Sequence, residues 1–268
     1  MNSIISLTPL DLVMAASLIV LLAALSLWMR LQLTSSLVIA ATRTTVQLLL
    51  IGLVLKTVFK SAEPLWLGLI AVVMLAAASY EVLRRQKRKF KGWWGVGIGT
   101  TAMLVSSFTI TLLALTVIIA ETPWYAPRYA IPLLGILLGN TMNGISIGLD
   151  RLTSTVWDQR ELVEGRLLLG YTAAAAITPL RRECVRSALI PIINSMSAAG
   201  LVSLPGMMTG QILAGNPPVE AVKYQILIMF LIAGGTGLGT LAALWLGSRR
   251  LFDVRQRLRL DRLYVKIA

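Results

Sequence analysis

The chain has 268 residues, of which 56% are hydrophobic and only 14% charged, with a mean hydropathy of +0.77. A soluble domain of this size carries about 25% charged residues, and the apolar residues here gather into bilayer-length runs, which excludes a large soluble domain. A net charge of +13 does not point to nucleic acid, since the basic residues sit in short stretches beside apolar runs, and zero histidines with one cysteine, Cys184, exclude an intrachain disulfide and a His/Cys metal cluster.

In chain order the hydropathy predicts seven transmembrane helices, at roughly 10–29, 35–55, 64–83, 93–120, 129–149, 187–214 and 224–247. Met1 to Leu10 lacks the basic segment of a cleaved signal peptide, so the first run reads as a retained helix. The apolar run Leu167 to Ile177 is about half a span and reads as an interfacial or core helix. The fold class is therefore an all-α polytopic membrane protein, a single transmembrane domain over 1–268.

Orientation follows from the basic residues. With the N-terminus outside (periplasmic), the inner side holds Arg30, the cluster Arg84 to Lys91, the arginines between Arg151 and Arg186, and a basic C-terminal tail, 248–268. The outer side holds only Lys56, Lys60, Arg128 and Lys223. This bias puts the C-terminus in the cytoplasm. Trp93 and Trp94 at one interface, with Trp124 and Tyr125 at the other, fit aromatic belts.

Two regions carry the functional reading. The interval 150–187 mixes acids with arginines around the 167–177 run and reads as one or two short helices at the membrane surface, either a membrane-hugging loop or a dock for a soluble partner. The sixth span carries Asn194, Gln211 and a Pro205-Gly206 break in its middle. Proline removes a backbone donor and glycine loosens the helix, which in lipid is tolerated only beside partners or a cavity.

Polar groups inside spans generally face the protein interior. The pathway candidates are Arg43 and Gln47, one helical turn apart; Asn140 and Asn143, spaced i,i+3; and Asn194, Met207, Met208 and Gln211 around the break. Interhelical hydrogen bonding accounts for the amides as well as substrate contact does. The two methionines read as soft packing or as thioether ligands. Arg43 repels a bare cation, so it needs either a carboxylate such as Asp150 or Glu81, or an anionic or chelated cargo. No histidine and few acids within the spans leave no evident site for naked Fe²⁺.

The blocks Arg43-Thr-Thr-Val-Gln47 to Gly52, Gly139-Asn-Thr-Met-Asn143 through Asp150-Arg-Leu152, Leu201 to Gly215, and Tyr224-Gln-Ile226 resemble the FetB-type ABC transporter permease family, over nearly the whole chain. Glu164-Gly165-Arg166-Leu-Leu-Leu-Gly170 resembles a degenerate form of the loop by which such permeases engage their ATPases. The resemblance implies a bacterial inner-membrane permease that exports iron, working with two copies of a separate ATP-binding subunit that use ATP and Mg. The coupling residues would be Asp158, Glu161, Glu164, Gly165, Arg166 and Gly170, with a further contact at 84–91. No Gly-x-x-x-x-Gly-Lys-Ser/Thr loop occurs in the chain, so any ATPase is another polypeptide and this chain binds no cofactor. Seven spans without internal duplication supply half a transporter, which calls for a second copy. The alternatives are export of an anionic or chelated cargo such as a nucleotide-sugar, and, in another class, a non-transporting membrane scaffold or enzyme, for which no acid/base or nucleophile cluster appears.

Overall fold

The computed structural model describes residues 8–61, 64–120 and 122–265. The helices are α1 (Pro9–Trp28), α2 (Thr34–Ser61), α3 (Pro64–Arg85), α4 (Trp93–Ile119), α5 (Pro127–Asp158), α6 (Arg160–Leu168), α7 (Ala173–Ala198), α8 (Gly206–Leu213) and α9 (Pro218–Arg250). Two short strands, β1 (Arg88–Phe90) and β2 (Leu263–Val265), pair antiparallel with Lys89 opposite Tyr264.

Local chemistry explains the starts. Thr8 and Asp11 form a reciprocal capping box at α1, and Pro9 pre-sets the first turn. Pro64, Pro127 and Pro218 open α3, α5 and α9, where a missing N–H costs nothing. α4 is widened by π-turns at Leu104–Phe108 and Ala114–Ile119.

α5 and α9 form the centre, with α3, α4 and α7 packed around them. One buried cluster joins Val82 of α3, Ile98 and Met103 of α4, Leu149 and Leu152 of α5, Cys184 of α7 and Leu244 of α9. A second, at the far end, joins Leu115, Leu133, Leu137, Ile192, Ile228 and Ile232. α9 comes close to α5 and α4 because Gly239 faces Thr141 and Ser106, where any Cβ would lie 2.5 Å from Thr141 Cγ2. The α1–α2 hairpin lies at the rim with Leu18, Val20, Leu48 and Leu49 exposed, the surface that lipid covers.

Among the described residues, six helices (α1 to α5 and α9) are long and apolar enough to cross a membrane. The sequence predicts seven, and the difference is the sixth span. Residues 187–214 are not one helix: α7 starts far earlier, at Ala173, and ends at Ala198; 199–205 is irregular; α8 follows. Arg181, Arg182, Glu183 and Arg186 make the first half of α7 too polar to count as a span. α8 lies between the end of α7 and the start of α9 and packs against α9. The break also lies earlier than expected. It begins where Gly200, at φ +84°, turns the chain and its N–H bonds to Ser203 O at 2.9 Å. Pro205 and Gly206 do not interrupt a helix; Pro205 caps α8 and Gly206 is its first residue. Pro179 and Pro191 lie inside α7 without ending it.

Other boundaries move outward. α2 continues to Ser61, α5 to Asp158 and α9 to Arg250, each beyond its apolar run. The run 167–177 is not a helix of its own: Gly170, at φ +87°, ends the turn after α6, and Thr172 caps α7. The interval 150–187 is thus the tip of α5, all of α6 and the first half of α7. The segment after α9 is folded too, with Leu251, Phe252 and Leu263 buried in the main cluster.

Candidate functional site

The polar residues singled out in the spans fall at two ends of the molecule. At the end carrying Arg84 and Arg85, a groove of about 780 Å³ opens between α2, α3 and α5. Arg43 and Gln47 share the face of α2 that lines it. Arg43 Nη1 donates to Glu81 Oε2 at 3.1 Å, Arg85 Nε meets Glu81 Oε1 at 3.4 Å, and Arg85 Nη1 donates to Asn143 Oδ1 at 2.6 Å. Of the two carboxylates weighed as Arg43's partner, Glu81 takes the role. Asp150 instead accepts from the Lys87 backbone N–H at 2.7 Å and pins the turn after α3. Asn140 does not join Asn143: its Nδ2 donates to Ile136 O one turn back, at 2.9 Å.

At the opposite end, Met207 and Gln211 of α8 line a cavity of about 50 Å³ with Tyr129, Tyr224 and Arg128. That is space for a few water molecules. Met208 is half-buried beside it, and Asn194 is exposed on α7. The eight pathway candidates therefore do not converge on one site. Among the described residues no three of His, Cys, Asp and Glu come together as metal ligands.

The coupling candidates occupy the basic end beyond α5. Val163 is fully buried and anchors α6, while Glu161 and Glu164 face outward and Gly165 and Arg166 are half-buried. Arg166 Nη1 donates to Ala176 O at 3.1 Å, tying α6 to α7. At the hinge between α5 and α6, Asp158 pairs with Arg88 at 3.4 Å, and Arg88 stacks over Trp157 at 5.2 Å. Just before Gly170, the end of α6 leaves Leu168 89% and Leu169 79% exposed.

The sequence reading missed what frames this end. Residues 251–265 fold back: Arg262 Nη1 donates to Arg250 O and Phe252 O at 2.8 and 2.9 Å, and Gln256 Oε1 accepts from Ala173 N at 2.7 Å. A second groove, about 560 Å³, runs between the α6 turn and Arg255 to Leu258. The signal was the spacing of Leu251, Phe252, Leu258, Leu260 and Leu263 among the arginines. β2 also covers β1, so the backbone of 88–90, within the 84–91 loop considered as a contact, is already paired.

Residues 9–252 match the profile described as the uncharacterised protein family UPF0014. A UPF0014 membrane protein of Synechocystis is 40% identical, covering 88% of this chain and 90% of the relative. The probable iron export permease protein FetB of Escherichia coli is 33% identical over 81% of each chain, and the protein ALUMINUM SENSITIVE 3 of Arabidopsis thaliana 32% identical over 87% and 84%. No solved structure matches. With its long apolar helices and this match across the bundle, the chain is a multi-pass membrane protein that belongs to the UPF0014 family.

Proposed function

We propose that the chain is the membrane-spanning permease subunit of an ABC transporter in a bacterial inner membrane, exporting iron by means of a separate ATP-binding subunit. The likeness to a relative named as an iron export permease supports the cargo. The observation that carries the coupling role is α6 and its turn: a short charged helix anchored by buried Val163 and tied to α7 through Arg166, with Leu168, Leu169 and Tyr171 exposed at the end where charged side chains, not lipid-facing leucines, dominate. Such an anchor within a charged rim is what a soluble partner grips. The excess of basic residues at the same end supports a cytoplasmic placement for it, with the N-terminus outside.

Two copies would face one another, and ATP-driven closure of the partner pair would push α6 and, through Arg166 and Ala176, tilt α7. The irregular stretch 199–205 would let α8 move relative to α7. Arg43 by itself does not call for an anionic cargo, because it has a carboxylate partner in Glu81. The test is co-purification of the ATP-binding subunit with Leu168→Glu/Leu169→Glu. Both side chains are already exposed, so the fold should persist and association should fall. Undiminished association and ATPase stimulation would remove α6 as the dock.

A further inference from the structure

The groove between α2, α3 and α5 combines two surfaces that rarely meet by chance. Its depth is mostly apolar, walled by Met74, Ala77, Ala78 and Leu138, with Gln47 of α2 as the polar exception. Its mouth, where α3 ends, is cationic. Arg43, Arg84 and Arg85 line it against the single carboxylate Glu81. Glu81 engages Arg43 and Arg85 but not Arg84, which makes no ion pair among the described residues. Two positive charges therefore remain uncompensated. Along α2 the groove extends from Ser36 to Gln47, and along α3 from Met74 to Arg85, about 16 Å of helix on each side. The outer faces of both helices expose Val38, Leu48, Val72 and Val73, so the opening is sideways, into lipid.

An apolar slot half a bilayer deep with guanidinium groups at headgroup level is complementary to one class of molecule, an anionic amphiphile. We propose that this groove is a binding site for an acidic phospholipid of the bilayer, its phosphate on Arg84 and Arg85 and an acyl chain running past Leu138 and Gly139. Gly139 keeps the slot open, since nothing lies within 4 Å of where its Cβ would be. The site is separate from the coupling end and does not depend on which cargo is carried.

The test is native mass spectrometry of the full-length protein titrated with phosphatidylglycerol and with phosphatidylcholine. Phosphatidylglycerol should be retained preferentially, and Arg84→Gln/Arg85→Gln should weaken it about thirtyfold, the effect of two interfacial arginines. Gly139→Phe should displace the lipid with all charges intact, whereas Gly68→Phe, on an open face of α3, should not. Equal retention of the two lipids by the wild type would overturn the proposal, as would unaltered retention in Gly139→Phe. Displacement of the lipid by millimolar inorganic phosphate would overturn the assignment to an amphiphile. Disulfide crosslinking of two protomers through Gly139→Cys would show a second copy in the groove instead.

Discussion

Arg43 and Glu81, 38 residues apart on neighbouring helices, meet at 3.1 Å, and this is the one ion pair that ties the α1–α2 hairpin to the body of the bundle among the described residues. Glu81 is the better protected partner, with 18% of its side chain exposed against 38% for Arg43. It also serves Arg85. Glu81→Gln should therefore cost more than Arg43→Gln, because it strands two guanidinium groups while the arginine change leaves Glu81 still paired. We expect Glu81→Gln to lower stability in nanodiscs by about 1–2 kcal/mol, with a coupling of about 1 kcal/mol in the double-mutant cycle. Thermal unfolding of the four proteins decides it, and strict additivity would show the pair to be incidental.

Gly239→Ala should destabilise the bundle by about 2 kcal/mol, since the new methyl group would press on Thr141 and on Ser106 Oγ, and overpacking of a rigid contact costs that much. Gly97→Ala is the control. Nothing lies within 4 Å of its Cβ position, and alanine favours the helix, so its melting temperature should hold or rise.

The folded segment after α9 should loosen in acid. Asp253 is held below the usual carboxylate range first by the Arg257 backbone N–H, and Asp261 is brought down to about 2 by hydrogen bonds from the Arg259 guanidinium. A carboxylate whose folded pKa is depressed contributes stability above its unfolded pKa and loses it as pH falls through the folded value. The hydrogen-exchange protection of 251–265, relative to the intrinsic rate at each pH, should thus hold at pH 5 and fall between about pH 4 and 2. Asp253→Asn should remove part of that dependence, and a flat profile in the wild type would deny the carboxylates this role.

How much of this was readable beforehand depends on what each element is made of. The apolar middles of α1 to α5 and of α9 stand out by hydropathy alone. Their polar extensions, such as Asp150 to Asp158, do not, because a helix leaving the hydrocarbon keeps its backbone bonds but changes its residues. α7 is divided by composition between short charged surface helices before 187 and an apolar span after it, yet Ile177, Leu180, Cys184 and Ala188 recur at helical spacing and are the buried face of one continuous helix. Arg43's need for a carboxylate followed from chemistry; its choice of Glu81 over Asp150 required the packing of α2 on α3. The pairing of 88–90 with 263–265 joins segments too distant in sequence for any local pattern to reveal.

The turn at Gly200 leads to the last prediction. Its φ of +84° lies where a side chain is strained, and its N–H closes the link to Ser203 that separates α7 from α8. Gly200→Ala should cost about 1 kcal/mol, and Gly200→Val more, by straining the turn without touching the buried clusters. Pro191→Ala, inside a helix that already tolerates the proline, should leave stability near that of the wild type or raise it. If the irregular stretch lets α8 move independently of α7 and α6 is the dock proposed above, Gly200→Val should lower transport turnover in proteoliposomes while association of an ATP-binding subunit persists. Loss of both together would place the defect in assembly. Unchanged turnover with a lowered melting temperature would reduce 199–205 to a structural kink.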